Sequence, residues 1–201
     1  MANGVCHLYN GFMIDHENTI RAFTALSVSN EIVNSVAARL DPLREKLSDL
    51  NIRWVPIANY HITLCFIGNI PVSDADKIVE VMAEVSKNIE PFDVKVGSLC
   101  LFPDHEKGGV LIADVTLDEP LITLQKKMNG ALLDAGYDIY QRPVFRPHMT
   151  VARLKKNKIP PELLKADDQI LINPVKAVHL YKSWKVDGGV KNAIVRSHSL
   201  N

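Results

Sequence analysis

The sequence predicts an α+β fold with largely antiparallel sheets, and three observations support this. Helical segments alternate with pairs of apolar stretches rather than with single ones, which is typical of antiparallel pairing. The composition is that of an ordinary globular protein, with 47 % hydrophobic and 23 % charged residues. The 201 residues are also enough to bury a sizeable core. We therefore expect one compact domain, or two small lobes that share a core.

Stretches rich in apolar and β-branched residues, bounded by turn-forming residues, predict the strands. In chain order they are 20–26, 52–55, 61–67, 92–102, 109–117, 137–141 and 148–154, one or two strands within 169–186, and a last strand at 193–200.

Capping residues and prolines predict where the helices begin and end. Ser29 can cap a first helix, and Pro42 should interrupt it, because proline suits a first helical turn better than an interior. Ser73, followed by an acidic residue three positions on, resembles a capping box and predicts that a second helix begins there. Pro120 marks the start of a third helix, which Gly136 should end.

The charge balance and the spacing of the cysteines limit the classes of function that the protein can have. Lys plus Arg equals Asp plus Glu, 23 each, so any site for a polyanion must be built from locally placed side chains. Cys6, Cys65 and Cys100 form no CxxC pair, and the apolar settings of the last two predict buried free thiols in a reducing compartment. The first twenty residues lack a secretory-signal pattern, so we expect a cytoplasmic, monomeric protein with no membrane partner.

Two short motifs carry the functional prediction. NYHITLCFIG and FRPHMTVAR each contain His-x-Thr inside a predicted strand. Because strand side chains alternate, His61 and Thr63 should share one face, as should His148 and Thr150. A histidine in a strand is more often a packed core residue than a catalyst. Two such strands facing each other would nevertheless surround a small anion with two imidazoles and two hydroxyls.

That arrangement suits phosphoryl transfer without a metal ion. One imidazole can accept a proton from the attacking oxygen while the other donates a proton to the leaving oxygen, because the unperturbed pKa of histidine is about 6.5. The threonine hydroxyls can donate hydrogen bonds to the non-bridging phosphate oxygens.

The flanks of both motifs resemble the 2H phosphoesterase superfamily, and within it the RNA 2′,3′-cyclic phosphodiesterases, also called 2′-5′ RNA ligase-like proteins. RWVPIANYHITLCFIGNIP and FRPHMTVAR match that branch closely, and IRAFTAL and PFDVKVGSLCLFP match it more loosely. The resemblance implies a single bilobal, pseudo-symmetric domain over residues 20–201 with the active-site cleft between the lobes. Residues 1–19 have no counterpart in it, and we expect them to be either a flexible arm or an artefact of the start site. It also implies that terminal cyclic phosphates are opened to 2′-phosphates without a cofactor.

Carried onto this chain, the resemblance makes His61 the proton donor and His148 the proton acceptor, with Thr63 and Thr150 binding the phosphate. The expected partners are RNA ends or small nucleotide cyclic phosphates, and the family adds a possible reverse 2′-5′ ligase activity. Three alternatives stay open: a phosphodiesterase for 2′-5′ oligonucleotides or small cyclic phosphates, an RNA-end-binding module without turnover, and, least favoured, a His-based metal hydrolase.

Two arginines near the second motif are further candidates, because a guanidinium can donate two hydrogen bonds to one phosphate. Arg146 shares the face of His148 if the strand extends that far, although Pro147 argues for a later start. Arg146 is therefore the favoured substrate ligand. Arg153 should face the opposite side in a regular strand. Phe23 could stack on a base or belong to the core.

Overall fold

The computed structural model describes residues 18–102, 109–139, 144–154, 159–164 and 169–201. Within them the chain forms a curled, antiparallel sheet with helices packed against it, so the predicted fold class is confirmed. The strands are β1 (Thr19–Ser27), β2 (Ile52–Trp54), β3 (His61–Pro71), β4 (Phe92–Phe102), β5 (Val110–Val115), β6 (His148–Leu154), β7 (Leu171–Val175), β8 (Ala177–Val186) and β9 (Gly189–Ser199). The helices are α1 (Asn30–Lys46), α2 (Ala75–Ser86) and α3 (Glu119–Asp134).

The sheet consists of two similar halves that meet at its centre. The strand order is β7-β4-β5-β6-β3-β1-β8-β9, and β2 pairs with β6 away from this path. The two central strands, β3 and β6, share the registered pair Ile62 and Met149. α1 lies between β1 and β3 in the chain, and α3 lies between β5 and β6. The chain thus repeats one arrangement twice, with a His-x-Thr motif beginning the central strand of each half.

The main core covers one face of this sheet. α1 contributes Ile32, Val36 and Leu40, and α3 contributes residues such as Leu124 and Met128, all at most 2 % exposed. These residues recur at helical spacing, so each helix turns one apolar stripe toward the strands. Burying one such side chain is worth about 1.5–3 kcal/mol. The opposite face carries polar side chains together with a smaller apolar cluster formed by Phe23, Ala25, Tyr181 and Phe66.

The structure confirms the cap of α1 but differs from prediction in two other details of the helices. Ser29 does cap α1, accepting a hydrogen bond from the backbone N–H of Ile32 at 3.4 Å. However, α1 continues through Pro42 to Lys46, because Leu43 in its last turns is buried against the core. Ser73 does not cap α2. It lies in a short 3-10 turn, and Asp74 is the residue that precedes the helix.

One predicted strand is absent from the described residues. Gly136 ends α3 with a positive φ of 88°, and the N–H of Tyr137 then donates to the carbonyl of Leu132 at 3.1 Å. Residues 135 and 136 form the turn that ends the helix, residues 137–139 form no strand, and 140–143 lie outside the described residues.

Cys65 is buried and Cys100 is partly exposed, and both are free thiols, whereas Cys6 lies outside the described residues. Burial raises the pKa of the Cys65 thiol to about 12. No helix in the described part of the chain combines the length and the apolar character needed to cross a membrane.

Candidate active site

The two His-x-Thr motifs lie side by side at the centre of the sheet. Ile62 and Met149 pair directly and are fully buried, so the residues that flank them project to the other face. Those neighbours are the two histidines and the two threonines, and all four are partly exposed. An antiparallel register about this pair brings His61 beside Thr150 and Thr63 beside His148.

Both imidazoles are oriented in the same way. Nδ1 of His61 donates to the backbone carbonyl of Asn59 at 2.7 Å, and Nδ1 of His148 donates to that of Arg146 at 2.9 Å. A carbonyl oxygen only accepts hydrogen bonds, so Nδ1 must carry the proton in each neutral ring. In each motif, Nε2 is therefore the nitrogen able to accept a proton.

Asn59, which orients His61, is itself held by the edge strand β9. Its side-chain Nδ2 donates to the carbonyl of Val190 at 2.6 Å, and its Oδ1 accepts from the N–H of Asn192 at 3.0 Å. Asn59 is only 7 % exposed, so both bonds are shielded from water. The sequence offered no indication of this contact, which joins residues more than 130 positions apart.

Aromatic rings form the wall next to each histidine. The ring of Phe23 lies 4.8 Å from that of His61 and stacks at 5.1 Å on Tyr181, which lies 5.6 Å from His61. Phe102 stands 5.7 Å from His148 in the other half. Phe23 is only 4 % exposed, so it packs against His61 and offers no open platform for a base.

This environment lowers the pKa of His61 from its ordinary value of 6.5. Burial is the main cause, and the nearby positive charges of His148 and Arg153 act in the same direction, while the hydrogen bond to Asn59 opposes them. His61 therefore favours its neutral form. Because His148 affects its titration, the two imidazoles behave as a coupled pair.

The prediction for Arg153 was wrong, because β6 contains a β-bulge. Thr150 pairs with Ile112 of β5 and Ala152 pairs with Leu111, which leaves Val151 as an extra residue. Val151 and Ala152 are both fully buried, so the alternation shifts by one position and Arg153 returns to the face of His148.

The same irregularity occurs in β3, where the pairing with β1 skips Leu64, and Phe66 returns to the face of His61. Two consecutive apolar residues follow each His-x-Thr, Leu64-Cys65 in one motif and Val151-Ala152 in the other. This repeated interruption of the alternation was the sequence feature that could have revealed the position of Arg153.

Arg146 lies on the His148 side of the site, but its guanidinium already has neighbours. It stacks 4.7 Å above the ring of Phe102, and an NH2 group lies 3.5 Å from Oδ1 of Asp114 and 3.7 Å from Sγ of Cys100. Asp114 is the cross-strand partner of His148. The charge of Arg146 is thus partly neutralised, which makes it less available to an anion than Arg153.

His179, a residue that the sequence patterns did not single out, lies behind the aromatic wall. Its two ring nitrogens are hydrogen-bonded to Oγ of Ser197 at 2.7 Å and Oγ of Ser27 at 3.1 Å. Ser27 is the β1 partner of His61. In the described part of the chain, no three His, Cys, Asp or Glu side chains lie close enough together to hold a metal ion.

Comparison with known proteins shows which family this chain is similar to. A family model described as LigT like Phosphoesterase matches residues 26–112. A protein named RNA 2′,3′-cyclic phosphodiesterase from Aquifex aeolicus (strain VF5) is 33 % identical over 139 residues, which cover 68 % of this chain and 71 % of that protein. The chain belongs to the LigT-like phosphoesterase family.

Another relative and a solved structure extend this family assignment. A Bacillus subtilis (strain 168) protein with the same name is 36 % identical over 101 residues, covering 50 % of this chain but only 55 % of that protein's length. The crystal structure of E. coli LigT complexed with 3′-AMP superposes with a TM-score of 0.72 over 90 % of this chain and 98 % of LigT, at 18 % identity. At that identity the likeness shows the LigT-like fold alone.

Proposed function

We propose that this protein is a metal-independent RNA 2′,3′-cyclic phosphodiesterase that opens terminal cyclic phosphates to 2′-phosphates. The observation that carries the proposal is the pair of imidazoles on adjacent motif strands, each with its Nδ1 bonded to a backbone carbonyl, which places the proton of the neutral ring on Nδ1. The names of the relatives from Bacillus subtilis and Aquifex aeolicus support the same reaction.

In the proposed mechanism the phosphate lies between the two Nε2 atoms. His148 accepts a proton from a water molecule as its oxygen attacks phosphorus, and the bond between phosphorus and the 3′ oxygen breaks. Protonated His61 donates its Nε2 proton to that leaving oxygen, so a 2′-phosphate and a free 3′ hydroxyl result. These donor and acceptor roles follow the family resemblance.

The threonine hydroxyls and an arginine bind the charge that develops on phosphorus. Thr63 and Thr150 lie on the same face as the histidines and donate to the non-bridging oxygens. Arg153 is the stronger arginine candidate, because it shares this face and its charge acts on His61. Arg146 stays a weaker candidate beside His148.

A second function with support from the site is cleavage of 2′-5′ oligonucleotides or of small cyclic phosphates, which would use the same two histidines. Reverse 2′-5′ ligation would follow from the same chemistry run backward. The RNA-end-binding module is less consistent with two intact His-x-Thr pairs.

We also propose that the protein is a cytoplasmic monomer, in keeping with the free Cys65 and Cys100.

The deciding experiment is an assay of the purified protein with EDTA and a short RNA that ends in a 2′,3′-cyclic phosphate. We expect the cyclic phosphate to be opened at an undiminished rate, with the product phosphate on the 2′ position. Loss of turnover with EDTA and rescue by a divalent ion would support the metal hydrolase instead.

His61→Ala and His148→Ala are the matched variants for this assay, since each removes one imidazole from an equivalent place in the two halves. Both should abolish most of the turnover. If the RNA binds but neither wild type nor variants cleave it, the binding-module alternative holds.

A further inference from the structure

Two arginines stand directly opposite each other beside the candidate active site. Arg53 of β2 is the cross-strand partner of Arg153 of β6. Ile52 and Trp54 on either side of Arg53 pack against the main core, so Arg53 projects to the same face as Arg153. Residues opposed in this way have Cβ atoms about 4.5–5.5 Å apart, and like charges there are destabilising.

A third arginine adds to this positive charge. Arg21 of β1 is exposed on the same face, with its guanidinium 4.7 Å above the ring of Phe66. The charges of Arg53 and Arg21 both help to lower the pKa of Arg153, after the larger effect of burial. Arg53 and Arg21 therefore both lie within electrostatic reach of Arg153.

Within the described part of the chain, these arginines differ from several others by having no acidic partner. Arg44, Arg146 and Arg196 each lie within ion-pair distance of an aspartate, at 2.9, 3.5 and 3.1 Å. Among the described residues, no carboxylate lies within that distance of Arg21, Arg53 or Arg153. Although the formal net charge of the chain is zero, these three arginines thus place positive charge at one end of the site, and no described carboxylate pairs with it.

We propose that Arg53, assisted by Arg21, binds a second phosphate, the one on the 5′ oxygen of the nucleotide whose cyclic phosphate reacts. This rests on the proposed function, in which Arg153 and the histidines bind the cyclic phosphate. The ribose and base of that nucleotide are neutral, so the 5′ phosphate is the nearest additional anion that the substrate can supply. The preferred substrate class is then an RNA chain end or a 5′-phosphorylated nucleotide, rather than a nucleoside cyclic phosphate.

Three substrates test this inference. They are a nucleoside 2′,3′-cyclic phosphate, the same nucleoside carrying a 5′-phosphate, and a dinucleotide that ends in the cyclic phosphate and has a free 5′ hydroxyl. We expect wild type to show a kcat/KM roughly 10–100-fold higher for the second and third substrates, the range that corresponds to one charged hydrogen-bonded contact. A higher kcat/KM for the dinucleotide alone would mean that the second site binds a phosphodiester. A higher kcat/KM for both substrates would mean that it binds any 5′ phosphate.

Arg53→Gln should reduce the ratio of the kcat/KM values to about one. Arg53→Lys keeps the charge but loses the paired N–H donors of the guanidinium, so it should retain part of the preference. Arg196→Gln is the control, because Arg196 pairs with Asp76 of α2 away from the site. It should keep the wild-type preference. Circular dichroism would establish that the variants are folded. A preference that persists in Arg53→Gln, or is absent from wild type, would overturn the inference.

A binding measurement separates this inference from the proposed reaction. Calorimetric titration with a nucleoside 2′-phosphate and with the matching 2′,5′-bisphosphate requires no turnover. If wild type cleaves no cyclic phosphate, the proposed function fails, but tighter binding of the bisphosphate that depends on Arg53 would still support the second phosphate site. Equal affinities for the two nucleotides would contradict it.

Discussion

At the scale of single residues, the site depends on how the histidines and threonines are held. The two imidazoles have equivalent supports, the carbonyl oxygens of Asn59 and Arg146, but the residues that supply them differ. Asn59 is buried and bonded to β9, whereas Arg146 has a half-exposed side chain next to Asp114. The position of His61 is consequently the more rigid of the two.

Removing either threonine hydroxyl should slow the reaction without unfolding the protein. Thr63→Val and Thr150→Val keep the branched shape that suits a strand and delete only the donor. One donor to transition-state charge is worth about 2.7–4 kcal/mol in a dry site, and this cleft is partly exposed, so we expect kcat to fall by roughly 10–100-fold. Steady-state kinetics measures this, and wild-type rates in both variants would assign the hydroxyls to packing.

Asn59→Ala should lower kcat more than it changes KM. The loss of two buried hydrogen bonds to β9 should reduce the free energy of unfolding by about 1–3 kcal/mol and allow the carbonyl that orients His61 to move. A small displacement of a catalytic group can cost about 100-fold in rate. NMR of the His61 imidazole would report the altered Nδ1 hydrogen bond directly.

Asn173→Ala is a matched control for that variant, since Asn173 is fully buried and bonds the backbone of Ser27 and Ser29 through both ends of its amide. It should cost similar stability while leaving the Asn59 carbonyl in place. Equal losses of kcat in the two variants would mean that Asn59 contributes only stability.

At the scale of elements, three departures from regular geometry bear on the site or on stability: the bulge after Thr63 in β3, the bulge after Thr150 in β6 and the proline in α1. Each bulge follows a His-x-Thr motif and returns the residue five positions after the histidine to the site face. That residue is Phe66 in one half and Arg153 in the other. The two halves therefore share a backbone design but present different chemistry, apolar on one side and cationic on the other.

Pro42→Ala should stabilise the protein. Pro42 lies inside α1, where it cannot donate the hydrogen bond that an interior position normally makes. Alanine restores that N–H and has the highest helix propensity, so we expect the free energy of unfolding to rise by about 1–3 kcal/mol. Urea denaturation measures the change. A decrease would show that the proline ring makes packing contacts that outweigh the missing bond.

At the scale of the whole molecule, the site exists because two similar halves meet along β3 and β6. The registered pair Ile62 and Met149 brings one histidine from each half together, although 87 positions separate them in the chain. On the side of β1 and β8, burial lowers the pKa of His61, while Arg146 and Asp114 lie next to His148. The two imidazoles therefore lie in unlike environments.

The pH profile of kcat/KM should be bell-shaped, and the lowered pKa of His61 should move one of its two limbs to lower pH. In the proposed mechanism His148 must be neutral, so the rate rises with pH as His148 loses its proton. His61 must be protonated, so the rate falls as pH increases through the pKa of His61, which burial lowers from 6.5. Steady-state kinetics across pH gives both limbs of the coupled pair.

Single variants assign those limbs. Residual activity of His148→Ala should lose the ascending limb, and that of His61→Ala should lose the descending one. A substrate with a better leaving group should rescue His61→Ala far more than His148→Ala, since it needs less protonation. Rescue of His148→Ala alone would exchange the donor and acceptor roles.

The sequence by itself determined the α+β class, most of the strands, the Ser29 cap and the end of α3 at Gly136. These features depend on local causes: side-chain alternation, a hydroxyl at a helix start, and a residue that tolerates positive φ. The sequence also predicted that each histidine shares a face with its threonine, because a strand alternates over two residues whatever it pairs with.

Only the tertiary structure decided which residues join the histidines. The bulge in β6 arises from its pairing with β5, so regular alternation placed Arg153 on the wrong face. The opposition of Arg53 to Arg153 and the bonds from Asn59 to β9 join positions about 100 or more apart in the chain. Such contacts are set by strand order and register, which depend on how the complete core packs rather than on any local stretch of sequence.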